Sequence, residues 1–155
     1  MILILAVGQR QPAWVNDAVA DYLGRFPESH RPQLKEIKAE PRTKGKPVVA
    51  LLQAEADRLR AGIPNDAVTI ALDEHGKAVT TQEFSTLIER YGQTTTNLVF
   101  LIGGPDGLDL KLKSESQQTL RLSSMTLPHG LARVLLSEQL YRARSLLRHH
   151  PYHRD

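Results

Sequence analysis

The chain has 155 residues, 41% hydrophobic and 24% charged, the balance of a globular protein and not of a disordered one. No apolar run approaches the roughly 20 residues that span a bilayer, and the absence of cysteine excludes disulfides, thiolate metal sites and cysteine nucleophiles. A net charge of +3 permits an anionic partner such as RNA without requiring one.

Ile2–Val7 (ILILAV) is a continuous apolar run before Gly8 and reads as a buried strand; with no basic leader or small-residue cleavage site, it is not read as a signal peptide. A cytoplasmic protein is expected. Pro12 suits the first turn of a helix whose apolar face is Trp14, Val15, Ala18, Val19, Tyr22, Leu23 and Phe26. Leu34–Ile37 reads as a short strand. Lys38–Pro47 (KAEPRTKGKP) has two prolines and no apolar period, so a mobile loop is expected. A helix follows from Val48 to Leu59, ending near Gly62 and Pro64, and Ala67–Leu72 is a third buried strand. Asp73–Lys77 reads as a polar turn. Thr80 or Thr81 caps a helix through Tyr91, with Phe84, Leu87, Ile88 and Tyr91 on one face.

Asn97–Leu108 (NLVFLIGGPDGL) is the stretch on which the rest turns. Leu98–Ile102 form a fully apolar run that passes directly into Gly103, Gly104, Pro105, Asp106 and Gly107, the pattern of a central strand in a parallel sheet. Ligands sit at the carboxyl ends of such strands. Beyond it, Leu108–Gln118 reads as a helix, Thr119–Leu122 as a short strand, and Ser123–His129 as a second turn-rich loop. Strands alternating with helices predict an α/β fold, a single domain over 1–155 with a mostly parallel sheet and helices on both faces.

The last helix runs from Gly130 to about His149. Leu131, Ala132, Val134, Leu135, Leu136, Leu140, Tyr141, Ala143, Leu146 and Leu147 cover well over half its circumference, leaving Arg133, Ser137, Arg144 and Arg148 a narrow strip. A surface helix needs an apolar stripe of little over about 100°. Burial on two sides is therefore expected, with a second copy of the chain the simplest supplier of the second side. Glu138 and Arg142, four residues apart inside the apolar arc, are expected to form a partly buried ion pair.

The chemistry is less legible than the fold. IGGPDG lacks the lysine and hydroxyl of a phosphate loop, and its glycines miss the dinucleotide spacing. It is either a tight turn or a backbone wall for another ligand. SSMTLPH is an ordinary loop or a cradle for a flat heterocycle, with Met125 and Leu127 against the ring. His129 can cap the last helix or act in a site. Three histidines in the tail do not make a metal site, because Pro151 breaks their spacing and only Asp155 could add a carboxylate. The tail is either a frayed end or, through Tyr152, His153 and Arg154, a group that meets bases and phosphates. The segment Arg31, Lys35, Lys38, Arg42, Lys44 and Lys46, interrupted by Glu36 and Glu40, is either a solvated loop or an RNA contact.

Taken together and in order, FLIGGPDG, LSSMTLPHGLARVLLSEQLYRA and the terminal HPYHR resemble the RlmH family of SPOUT-class methyltransferases, which modify large-subunit ribosomal RNA. The likeness runs from the ILAVG and PAWV segments to the last residues. Asp106 stands where many relatives carry Glu, and Gly130 follows TLPH. The resemblance implies transfer of methyl from S-adenosylmethionine to N3 of a pseudouridine in 23S RNA of assembled ribosomes, by a homodimer whose C-terminal part is threaded into a trefoil knot. It also implies a cofactor site of Leu72, Gly103, Gly104, Leu122, Ser123, Ser124, Met125, Thr126, Leu127 and Pro128. On that reading His153 is the candidate for proton handling, Arg154 for holding phosphate or base, and Tyr152 for stacking. Two other readings stay open: a non-catalytic ribosome-binding module, and a SPOUT enzyme acting on transfer RNA.

Overall fold

A computed structural model describes residues 1–95 and 97–154. The order of elements is β1 (Ile2–Val7), α1 (Ala13–Gly24), β2 (Gln33–Ile37), α2 (Val48–Gly62), β3 (Ala67–Ala78), α3 (Thr81–Thr94), β4 (Asn97–Ile102), α4 (Leu110–Glu115), β5 (Gln118–Arg121) and α5 (His129–Leu147), with a short 3-10 turn at Glu28–His30. The five strands form one sheet in the order β2-β1-β4-β3-β5, every pair parallel. None of the described helices is long and apolar enough to cross a membrane.

Side chains alternate across each strand, so successive residues feed two apolar layers. Ile4, Ala6, Leu98, Phe100 and Ile102 face one way and pack with Val15 and Val19 of α1, Phe84 and Leu87 of α3, and Leu136 and Leu140 of α5. Leu3, Leu5, Val99 and Leu101 face the other way, against Ala56 and Leu59 of α2 and Leu112 of α4. Connections running toward β2 use the first face and those running toward β5 the second, as right-handed crossovers require. Each fully buried aliphatic side chain of these layers contributes about 1.5–3 kcal/mol. Thr80 caps α3 in a capping box with Glu83, settling which threonine does so.

The structure corrects four expectations. Asp73–Lys77 is not a turn that ends a strand: β3 continues to Ala78, and Leu120 of β5 pairs with both Leu72 and Lys77. Residues 73–76 are thus a bulge held between two paired stretches. Gly76 makes the bulge possible, since a Cβ there would sit 2.5 Å from the Leu120 carbonyl carbon. Trp14 leaves the apolar face and is 56% exposed, because α1 buries Val15, Val19 and Leu23 and Trp14 is one position off that row. The Lys38–Pro47 loop is not loose: Lys46 and Arg58 both pair with Glu40, and Arg42 pairs with Glu55.

The fourth concerns α5. Arg133 and Ser137, expected on its polar strip, are buried against the sheet, Arg133 with 1% exposure. Arg133 donates from Nη1 to Glu36 at 2.8 Å and from Nη2 to the carbonyls of Val7 and Gly8 at 3.1 and 2.6 Å. It serves acceptors at the end of β1 that an apolar side chain would strand. The expected pair is present, with Arg142 Nε 2.8 Å from Glu138 Oε1 and both side chains largely covered. Leu131, Val134, Leu135 and Tyr141 stay half-buried, so one chain covers only part of the apolar arc.

Candidate active site

At the carboxyl ends of β4 and β5, beside the bulge in β3, lies a cavity of about 780 Å³, within the range of about 300–1,000 Å³ usual for small-molecule sites. Four backbone segments build it: the β3 bulge, the glycine turn after β4, the loop after β5, and the first turn of α5. Of the residues expected at a cofactor site, all but Ser124 line this cavity.

The glycine turn folds back upon itself. Gly107 N–H donates to the Gly104 carbonyl at 3.1 Å, and Gly107 has φ +80°, a conformation that only glycine adopts cheaply. A Cβ on Gly103 would overlap the carbonyl group of Gly107 and lie 2.9 Å from its Cα. Opposite, the Met125 N–H donates to Ser123 Oγ at 2.9 Å, which shapes the 122–128 loop and leaves Met125 77% exposed at the cavity. The 122–128 loop is joined to the β3 bulge where Thr126 donates its hydroxyl to Glu74 at 2.8 Å. Asp73 of the same bulge pairs with Lys113 at 3.3 Å. Arg121 also reaches the cavity, with its Nε buried and lacking a hydrogen-bond partner.

Sequence reasoning missed Asp73, Glu74, Lys113 and Arg121 as wall residues. Only the turn-like composition of 73–77 hinted at any of them.

His129 is the first residue of α5 and lines the cavity; Pro128 holds the cap position and no side chain caps this helix. Burial, and secondarily the positive charge of Arg133, push the imidazole below its ordinary value of 6.5. The unfolded chain then binds the proton more readily than the folded one. This group's contribution to stability is full above about pH 6.5 and falls as pH drops through the depressed folded value. An NMR titration of His129 is expected to show a midpoint below that of an exposed histidine, and His129→Gln to flatten the loss of stability on acidification.

The tail is docked, not frayed. The Tyr152 ring meets Tyr141 edge-on at 4.7 Å, its hydroxyl donates to Glu138 Oε1 at 3.2 Å, and the Arg142 guanidinium lies 4.8 Å from its centroid. His153 Nδ1 is 3.3 Å from Arg142 Nη1. Burial, and then Glu138, raise the Tyr152 phenol above its usual value, so it stays a neutral donor. Tyr152 and His153 are thus gathered with α1 and α5, Arg154 is exposed, and none of the three is a wall residue of the cavity in its own chain. Among the described residues no three His, Asp or Glu side chains are gathered as a metal site would need.

A family model described as "Predicted SPOUT methyltransferase" matches residues 1–153. The chain belongs to the SPOUT methyltransferase family. Among relatives of this SPOUT chain, the "Ribosomal RNA large subunit methyltransferase H" of Bordetella petrii is 50% identical over 153 residues, covering 99% of this chain and 98% of that one. The protein of the same name from Neisseria gonorrhoeae is 47% identical over 154 residues, covering 99% of each. A solved probable methyltransferase from Bordetella pertussis Tohama I aligns with a TM-score of 0.58 at 15% identity, over 92% of this chain and 95% of that one. A probable methylase family protein from Haemophilus influenzae gives 0.57 at 12% identity, over 99% of this chain and 70% of the other. Those two likenesses concern the SPOUT fold alone. The family expected from the glycine turn, the TLPH loop and the terminal HPYHR is the one found.

Proposed function

We propose that this enzyme, one domain over residues 1–155 acting as a cytoplasmic homodimer, transfers methyl from S-adenosylmethionine to N3 of a pseudouridine in large-subunit ribosomal RNA of assembled ribosomes. The observation that carries the proposal is end-to-end identity of 50% with a protein named for that class of reaction. A cavity built from the segments expected to bind the donor supports it. A C-terminal segment threaded as a trefoil knot belongs to the same reading.

The walls fit the donor. Leu72, Leu122, Met125 and Leu127 offer apolar surface to a flat heterocycle, and backbone at Gly103 and Gly104 admits close approach. Glu74 places a carboxylate where a sulfonium or an ammonium would be favoured, whereas the Asp73 carboxylate already faces Lys113. When bound, the donor supplies a methyl group already made electrophilic by its sulfonium, which leaves the chain to position and to manage charge. The acceptor is an imide nitrogen that must lose its proton. His153 is assigned to that proton, Arg154 to phosphate or base, and Tyr152 to stacking, in a site completed across the homodimer, since none of the three borders the cavity of its own chain. Arg31, Lys35, Lys38 and Lys44 supply exposed positive charge for RNA, whereas Arg42 and Lys46 are already neutralised by carboxylates.

Whole ribosomes from a strain lacking the gene are expected to accept labelled methyl from the purified enzyme, with the label on one large-subunit nucleotide by mass spectrometry. Label in free transfer RNA only, or none, would sink the proposal. The half-buried α5 arc supports the dimer; equilibrium sedimentation at micromolar concentration is expected to give twice the chain mass.

A further inference from the structure

The contacts that brace the bulge and the β5 loop run between residues that themselves line the cavity. The glycine turn is braced from outside it, by Arg42 in the loop between β2 and α2. Arg42 Nε and Nη2 each lie 3.2 Å from Asp106 Oδ2, at the tip of the turn. The other side of the guanidinium grips Glu55, with Nη1 at 2.7 Å from Oε2 and Nη2 at 3.1 Å from Oε1, while Nη1 also donates to the Glu40 carbonyl at 2.8 Å. These contacts use every nitrogen of the guanidinium, which leaves it little to offer an RNA phosphate.

Glu55 gives the arrangement its direction. It sits on the inner side of α2 beside Leu51 and Leu59, 1% exposed, and also accepts the Glu40 N–H at 3.1 Å. A buried carboxylate without a cation is costly, so Glu55 fixes Arg42 and not the reverse. Arg42 then presents its remaining edge to Asp106. Lysine cannot grip two carboxylates in one plane. The base of the turn is buried, with Gly104 close to Val7 and one Gly107–Gly104 hydrogen bond, whereas Pro105 and Asp106 form an exposed tip, and it is this tip that Arg42 braces. Arg42 Nη2 stands directly behind it, 3.9 Å from where a Gly104 Cβ would be.

We propose that Arg42 is a positioning residue for the donor pocket: anchored by buried Glu55, it holds Asp106 and so keeps the Gly103–Gly107 wall in its binding conformation. This rests on the reading of the cavity as the S-adenosylmethionine site. A wall ordered beforehand spares the ligand the cost of ordering it, worth a factor of about 3–10 in affinity for one restrained side chain.

The test measures S-adenosylmethionine Kd by calorimetry, donor KM and kcat with ribosomes, and melting temperature, for Asp106→Ala, Arg42→Lys and their double variant. Lys46→Ala removes an ion pair of the same loop without touching the turn. Asp106→Ala and Arg42→Lys are each expected to raise donor Kd and KM about 3–10-fold, by more than kcat falls. The double variant is expected to add nothing to either single one, Asp106→Glu to restore binding, and Lys46→Ala to bind as wild type. Wild-type affinity in both single variants, or an equal loss in Lys46→Ala, overturns the clamp while leaving the donor site standing. A wild-type enzyme that does not bind S-adenosylmethionine overturns the site and the clamp together.

Discussion

Gly103→Val is expected to abolish S-adenosylmethionine binding in a protein that remains folded. The first β-carbon already overlaps the Gly107 carbonyl group, so the turn must open before the valine methyls are accommodated at all. Two independent features resist that opening. Gly104 is packed so that its own Cβ position lies 3.2 Å from Val7 Cγ1, and Asp106 is tied to Arg42. The displaced backbone therefore moves toward the cavity it borders. An affinity loss of at least about 100-fold is expected, about 2.7 kcal/mol, with a cooperative melt retained because the core below Ile102 is unchanged. Gly92→Ala is the matched control: it lies in α3 with open space around the new Cβ, and it is expected to bind normally. Normal donor binding by folded Gly103→Val would contradict the assignment of this turn as a pocket wall.

Truncation after Pro151 is expected to do the opposite, leaving the donor bound and stopping methyl transfer. The tail residues rest on Tyr141, Glu138 and Arg142 and form no part of the cavity wall, so Kd is expected to stay within about two-fold, under 0.5 kcal/mol. The loss of the Tyr152 edge contact costs about 0.5–1.5 kcal/mol of stability. Turnover is another matter, since a positioned proton-transfer group is worth about 10²–10⁴-fold. His153→Ala alone is expected to shift the pH profile as well as the rate. Wild-type turnover by the truncated enzyme would reduce the tail to a surface ornament.

The main strands and helices were legible because burial leaves a period in the sequence: Leu98–Ile102 is apolar throughout, and α3 repeats Phe84, Leu87, Tyr91 with a Thr80 start signal. The bulge was not, because Asp73–Gly76 has the composition of a turn and only the pairing of Leu120 on both sides of it makes it part of a strand. Arg133 misled for a related reason. A helical projection sorts residues by polarity, whereas burial here follows the carbonyls of Val7 and Gly8 at the end of β1, which accept from the Arg133 guanidinium. In the site, the glycine turn and the TLPH loop were readable as motifs. The ties that hold them, Arg42 to Asp106 and Thr126 to Glu74, were not, because ion pairs and hydrogen bonds between distant segments leave no period in a sequence.

The strand order has a consequence for how the molecule is made. β1 is made before the other four strands, yet the neighbour that completes its core-facing side is β4: Ile2 pairs with Leu98 and Ala6 with Ile102. Until β4 is synthesised, Ile4, Leu5 and Ala6 have only the edge strand β2 beside them. Parallel pairings that span so much sequence are slow to close and leave strand edges open to wrong partners meanwhile. The same central strand that ends in the glycine turn is thus the closing piece of the sheet, and a nascent chain stalled before Asn97 has apolar strands without a centre to join.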